Sequence, residues 1–147
     1  VGYEAPMFVS WALRNRADMI RLPTYNPAKN EAMRVEYRAP DPSCNPYLAF
    51  AVILSAGLAG IENSYELGPP AEYDLSTMTH EERQKIGVES LPKDLNEAIK
   101  LAEGSQLLEE CLGQEIFTKL IENKREEWEK YRSQVTDYEL KTYLSLL

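Results

Sequence analysis

A short stretch of alternating side chains carries the residues best suited to chemistry in this 147-residue sequence. Its charged positions are Arg34, Glu36 and Arg38, and its apolar positions are Met33, Val35 and Tyr37. Alternation with a period of two predicts a β-strand over 33–39, with the apolar side packed behind the charged side. A glutamate can bind a hard divalent cation, and arginines bind anionic oxygens through their planar forks. The charged side is therefore either the wall of a site or, more commonly for such a pattern, a solvated strand face with cross-strand ion pairs.

Two further arginines, Arg16 and Arg21, favour the site. The stretch 18–23 also has the composition of a strand that ends at a proline, so a neighbouring strand would bring more guanidinium groups to the same place. Guanidinium groups that face solvent together repel one another unless anions lie between them, and nucleotide phosphates are the commonest such anions. We therefore expect Arg16 and Arg21 to converge with Glu36 and Arg38 on one cleft.

Composition disfavours several other classes of protein. The net charge of −8 and the pI of about 4.8 argue against a nucleic-acid-binding protein, which needs a basic face. Cys44 and Cys111 lie far apart without metal-ligating companions, which predicts reduced, buried thiols of a cytoplasmic protein. His80 is the only histidine, so a zinc site or a Ser-His-Asp triad is disfavoured.

The longest apolar run, 47–61, is shorter than the roughly 20 residues that a membrane-spanning helix needs. It predicts instead a buried helix, with Asn45 as its N-cap and Pro46 at its first position. The N-terminus also lacks the basic and apolar regions of a secretory signal. We therefore expect a cytoplasmic protein with no membrane association.

The elements that must position these residues predict an α+β fold. Two or more antiparallel strands are expected within the first 40 residues, followed mostly by helix, while the segment 6–15 is compatible with either a helix or a strand. Four later helices are expected to begin at N-cap residues, and a break is expected at Gly113. These N-caps are Thr79, Asp94, Ser105 and Thr136. The chain then divides into strands and a buried helix (1–61), a connector with a short helix (62–92) and a helical region (93–147).

Several blocks, in this order, resemble the C-terminal part of the catalytic domain of type I glutamine synthetases, the bacterial and archaeal type. The blocks are Gly2–Pro6, which is similar to the family's flap; Asn15-Arg16 with Ile20–Pro23; Arg34–Arg38 with Pro40–Ser43; Asn45–Ala49; and, in the tail, Lys124–Trp128 with Tyr131–Thr136. The resemblance covers essentially the whole chain. It also implies that the chain is one part of a larger catalytic domain.

The resemblance implies a ligase that uses ATP to phosphorylate glutamate and then lets ammonia displace the phosphate to form glutamine. By motif, Glu36 would be a ligand of Mg²⁺ or Mn²⁺, and Arg38 would contact glutamate and the transferring phosphate. Arg16 would contact glutamate and ATP, while Arg21 and, near the nucleotide, Arg34 would bind ATP. These residues are joined by Glu4, the flap carboxylate that would take a proton from ammonium.

Further expectations follow from the same resemblance. The substrates would be glutamate, ATP and ammonium, and the family assembles as a dodecamer, in which the last helix would reach a facing subunit. Lys29 is a candidate nucleotide contact, and Tyr73 resembles a tyrosine that some bacterial members adenylylate, although an exposed loop tyrosine is the simpler interpretation. Two alternatives are a glutamine-synthetase-like pseudo-enzyme and a helical interaction module. Taken alone, the chain is expected to be inactive and to expose apolar surface around 47–61.

Overall fold

Within the part of the chain that the structure describes, four short strands form one mixed sheet. The computed structural model describes residues 5–15, 17–23 and 34–146. The strands are β1 (Phe8–Ala12), β2 (Asp18–Arg21), β3 (Glu36–Tyr37) and β4 (Glu89–Ser90). They lie in the sheet in the order β3-β2-β1-β4. The helices are α1 (Pro46–Glu62), α2 (His80–Lys85), α3 (Leu95–Glu103), α4 (Gln106–Arg132) and α5 (Asp137–Tyr143), with 3-10 turns at Leu75–Thr77 and Leu144–Leu146. The α+β class expected from the sequence is confirmed.

The sheet contains one parallel pair that the sequence did not predict. β3 pairs antiparallel with β2, and β4 pairs antiparallel with β1. β1 and β2, in contrast, run parallel, with Phe8 beside Asp18 and Ala12 beside Arg21. The connection between them returns the chain to the start of β1, where the Met7 amide donates to the Ala17 carbonyl at 3.1 Å. A hairpin would have reversed the strand, whereas this return preserves its direction.

The predicted helix starts are confirmed by their capping contacts. Asn45 Oδ1 accepts from the Tyr47 amide at 3.0 Å, one residue after Pro46 opens α1. Thr79 and Thr136 each form a capping box with a glutamate three residues later, and Asp94 and Ser105 cap α3 and α4. The break predicted at Gly113 is a kink inside α4, where this glycine adopts φ 73° and ψ 153°. Local sequence therefore determines where the helices begin and bend.

The helix α1 was predicted to be buried, and this prediction is wrong for the chain as it stands. None of its residues is buried, and Tyr47 is 83% exposed. The helix is apolar around its whole circumference, and α4 covers only one side of it, where Ser55 Oγ lies 3.1 Å from Cys111 Sγ. The apolar exposure expected of the chain taken alone is present. Within the described ranges, no helix is both long enough and apolar enough to cross a membrane.

Two smaller predictions of burial are also corrected. Cys44 is exposed because it lies in the turn before α1, whereas Cys111 is partly buried. On the apolar side of the predicted 33–39 strand, Val35 is 63% exposed and Tyr37 is 42% exposed. Met33 lies outside the described residues. The buried cluster nearest the sheet lies instead on β1, where Phe8 packs with Ala71 and Leu75.

Candidate active site

A cross-strand pair of opposite charges stands at the centre of the candidate site. Arg21 on β2 lies directly opposite Glu36 on β3 in the antiparallel register. Their side chains therefore project from the same face of the sheet, and Arg21 Nη1 donates to Glu36 Oε2 at 2.9 Å. Both side chains are 28% exposed, so the pair is partly shielded from water. Glu36 thus lies on the same face as Arg21, which is compatible both with a site wall and with a strand face that carries cross-strand ion pairs.

A second guanidinium reaches the other oxygen of the same carboxylate. Arg34 Nη2 lies 3.4 Å from Glu36 Oε1, and the Arg34 side chain is 59% exposed. Arg38 follows on the same extended stretch, where its amide donates to the Met19 carbonyl at 2.8 Å. The structure therefore brings Arg21, Arg34 and Glu36 together and attaches the backbone of Arg38 to the same pair of strands. Glu4, Arg16 and Lys29, which the sequence also proposed, lie outside the described residues.

Arg21 carries a buried donor for which the described residues offer no partner. Its Nε atom makes no hydrogen bond among the residues that the structure describes. A buried polar group left unpaired costs about 1–3 kcal/mol, so such a group normally finds a partner. An anionic oxygen is the natural acceptor for a guanidinium N–H. The Nε atom itself is closed off from solvent, so it is the partly exposed remainder of the Arg21 side chain that could meet a further anion.

A divalent cation is not accommodated by these residues alone. Across the described ranges there is no group of three or more His, Cys, Asp or Glu residues able to hold a metal. Glu36 is a single carboxylate, and each of its oxygens already faces an arginine. Hard cations take six or more oxygen ligands, some of them from water or substrate. Glu36 can supply one such ligand, and the described residues do not supply the others.

Asp18 is a residue of the site region to which the sequence analysis gave no role. It is fully buried at the start of β2, and the Ser10 hydroxyl donates to its Oδ1 atom. Burial raises the pKa of Asp18 and the Glu72 carboxylate adds to the rise, while the Ser10 hydrogen bond and the Arg38 charge oppose it. Its Oδ2 atom has no partner within the described part of the chain. The alternation of β2 was a usable signal, because it places Asp18 on the same side as Ile20.

Comparisons with known proteins match the chain along almost its full length. A family model described as the catalytic domain of glutamine synthetase matches residues 1–143. The chain is 51% identical over 145 residues to the glutamine synthetase of Mycolicibacterium smegmatis and 43% identical over 146 residues to that of Methanosarcina mazei. Each match covers 99% of this chain and 32% of the relative. The chain therefore spans about a third of the length of the curated relatives that it matches.

Two solved structures resemble this fold. A GmaS–ADP complex has a TM-score of 0.77 and 33% sequence identity, and the match covers 96% of this chain and 30% of the other. A cryo-EM structure of Plasmodium falciparum glutamine synthetase also has a TM-score of 0.77, with 21% identity over 97% of this chain and 35% of the other. At that identity, the second likeness concerns the fold alone.

Proposed function

Because the chain belongs to the glutamine synthetase catalytic-domain family, we propose that it forms the C-terminal part of an ATP-dependent glutamate–ammonia ligase. In this reaction the γ-carboxylate of glutamate attacks the terminal phosphorus of ATP, and ADP leaves. Ammonia then attacks the acyl phosphate, and the C–O bond to phosphate breaks to give glutamine. Such chemistry depends mainly on positioning the reactants and neutralising their charge, both of which arginines can provide.

The observation that carries the proposal is the Arg21–Glu36 pair, which is only partly shielded from water. Arg21 is fixed on one side by Glu36, and its side chain remains 28% exposed. The exposed part of this guanidinium would bind a phosphate oxygen of ATP, and the solved GmaS complex is described as containing ADP. Arg34, more exposed on the other side of Glu36, would contribute a second contact to the nucleotide.

Four more roles come from the family motif. Arg38 would contact glutamate and the transferring phosphate, and Arg16 would contact glutamate and ATP. Glu4, on the flap, would close over the substrates and accept a proton from ammonium. A bound Mg²⁺ or Mn²⁺ would neutralise phosphate oxygens, with Glu36 as one of its ligands and the remaining ligands from outside the described residues.

The proposal extends to the assembly and the setting of the enzyme. We propose that 1–61, 62–92 and 93–147 are parts of one catalytic domain, since the family model runs through all three. The same run of similarity gives no support to a separate helical interaction module. The enzyme would work in the cytoplasm as a dodecamer, in which the exposed C-terminal residues, such as Leu144 and Leu146, would contact another subunit.

A substitution that retains charge but removes the fork tests this proposal in the assembled enzyme that contains this chain. Arg21→Lys keeps the positive charge and loses both the Nε donor and the planar geometry. We expect the KM for ATP to rise about tenfold, as expected for the loss of one charge-assisted hydrogen bond. Arg14→Lys is the matched control, because Arg14 is exposed in the β1–β2 connection, and it should change KM less than about twofold.

Three results would contradict the proposal. The first is an assembled wild-type enzyme that forms no glutamine from glutamate, ammonium and ATP. The second is an Arg21→Lys enzyme with an unchanged KM for ATP. The third is measurable glutamine formation by the 147-residue chain alone as a monomer, because one metal-ligating carboxylate is too few for the site.

A further inference from the structure

The segment 68–73, here named the strap, runs along the end of β1 and is tied to it repeatedly. The ties are Trp11 Nε1 to the Gly68 carbonyl at 2.9 Å, the Ala71 amide to the Trp11 carbonyl at 2.8 Å, the Leu13 amide to Glu72 Oε1 at 2.6 Å and Asn15 Nδ2 to the Tyr73 carbonyl at 3.2 Å. Each tie joins residues more than 55 positions apart in sequence. The strap therefore follows β1 beyond its last residue and into the connection to β2.

The tie through Asn15 differs from the others because the Asn15 side chain makes two hydrogen bonds, one as an acceptor and one as a donor. Its Oδ1 atom accepts from the Ala17 amide at 3.0 Å, while its Nδ2 atom donates to the Tyr73 carbonyl at 3.2 Å. An amide N–H must meet an acceptor and a carbonyl must meet a donor, so these two partners fix the orientation of the Asn15 amide. One side chain thus binds the Ala17 amide and also a distant segment.

The connection between β1 and β2 needs such support. It has five residues to return the chain to the start of β1, because the two strands run parallel. The return is fixed at its far end by the Met7 amide, which donates to the Ala17 carbonyl at 3.1 Å. Asn15 holds the amide of the same Ala17 from the opposite direction along the chain. Both polar groups of the Ala17 backbone are therefore fixed just before β2 begins.

We propose that Asn15 is a positioning residue, which sets the β1–β2 connection for substrate binding through the strap and the Ala17 amide. The inference rests on the proposed function, in which Arg16, between Asn15 and Ala17 in sequence, contacts glutamate and ATP. Asn15 touches neither substrate in this account. Its effect is to hold the two described neighbours of that position, so that the ordering cost of the connection is met before substrate binds.

Two substitutions separate the two bonds of Asn15 in the assembled enzyme. Asn15→Ala removes both bonds, whereas Asn15→Asp keeps an oxygen for the Ala17 amide and loses the donor to the strap. We expect Asn15→Ala to raise the KM for glutamate about tenfold and to leave kcat within about threefold, with a smaller rise of KM for Asn15→Asp. Hydrogen exchange of the Ala17 amide should accelerate about tenfold in Asn15→Ala and stay near wild type in Asn15→Asp.

Trp11→Phe is the matched control, because it removes the tie at the other end of the strap and leaves the Asn15 bonds in place. It should leave both the KM for glutamate and the Ala17 exchange near their wild-type values. An unchanged KM and unchanged Ala17 exchange in Asn15→Ala would overturn the inference. So would a Trp11→Phe enzyme with the same rise in KM, since the effect would then belong to the strap as a whole.

The proposed function and the positioning role of Asn15 can be refuted separately. A wild-type enzyme that makes no glutamine refutes the proposed function, whatever the variants do. The exchange rate of the Ala17 amide can be measured without catalysis. It therefore tests the hydrogen bond between Asn15 and the Ala17 amide whether or not the enzyme makes glutamine. A rise in KM for glutamate without faster Ala17 exchange would also overturn the inference, because the effect would not pass through that amide.

Discussion

Replacing the buried Asp18 by asparagine should stabilise the folded chain at neutral pH. Asp18 is fully buried, and Oδ2 has no partner among the described residues, while Oδ1 receives the Ser10 hydroxyl. Asparagine is nearly isosteric and keeps an oxygen for Ser10, so the packing should change little. An unpaired buried polar group costs about 1–3 kcal/mol, and more when it is charged. We expect a gain at the lower end, about 1 kcal/mol, because the amide still leaves one buried group unpaired.

The pH dependence of this gain distinguishes its cause. Burial raises the pKa of Asp18 above its ordinary value of 3.8, so the folded state keeps the proton over a pH range in which the unfolded chain has lost it. The free energy of unfolding of the wild type therefore falls as the pH rises through that range, and it levels off above the folded pKa. Asp18→Asn lacks this titration. Its advantage should be small near pH 4 and larger at pH 7.

Urea unfolding at pH 4 and pH 7 measures this difference, and the gain at pH 7 corresponds to a Tm increase of about 2–4 °C. Asp74→Asn is a control of opposite sign, because the Ser76 hydroxyl and amide lower the pKa of the exposed Asp74 carboxyl. That carboxylate stabilises the fold above its unfolded pKa, so Asp74→Asn should lose stability at pH 7 and little at low pH. An Asp18→Asn chain that is less stable than wild type at pH 7 but not at pH 4 would refute the reasoning, because the ionised carboxylate would then be favourable.

Three further results are expected. In the assembled enzyme, Glu36→Ala should reduce turnover at limiting Mg²⁺ by more than tenfold. It should cost at most about 1 kcal/mol of stability, because the ion pairs of Glu36 are partly exposed. Normal turnover would contradict the role of Glu36 as a metal ligand. Gly113→Ala should destabilise the chain to urea by about 1–3 kcal/mol, because φ is 73° there, although among the described residues nothing beyond the neighbouring backbone lies within 4 Å of the added methyl. Gly57→Ala, equally open but within regular α1, should be stabilising by up to about 1 kcal/mol, and an equal loss at both glycines would argue against backbone strain. The isolated chain should associate through the exposed apolar side of α1. Leu54→Glu should therefore lower the mass measured by light scattering toward that of the monomer. An unchanged mass would place the contact elsewhere.

Local chemistry made the helices predictable. Each N-cap side chain accepts a hydrogen bond from an amide of its own helix only two or three residues away, so no distant contact is needed to place the helix start. These N-caps are Asn45, Thr79, Asp94, Ser105 and Thr136. The kink follows from a glycine in the same way. The family was also recognisable from short blocks that are read directly along the chain, and the comparisons confirm it.

Burial and strand direction were less predictable, because each depends on what a distant segment supplies. The apolar run of α1 predicted a helix correctly, but its burial depends on partners beyond α4. The parallel pairing of β1 and β2 depends on the path of the connection, which alternation of side chains does not record. The roles of the site residues stay predictions, although the structure brings Arg21, Arg34 and Glu36 together as the sequence proposed.

The sequence by itself therefore determined the helix starts, the α+β class, the family and the set of charged residues that is proposed to form a site. Only the tertiary structure decided that Arg21 lies opposite Glu36 and that the Nε atom of Arg21 and the Oδ2 atom of Asp18 are buried. It also decided that Asn15 joins the Ala17 amide to the strap. The physical reason is the range of the interactions. Caps and periodicity act over a few residues, whereas register, burial and hydrogen bonds across more than 50 positions exist only once separate segments have packed together.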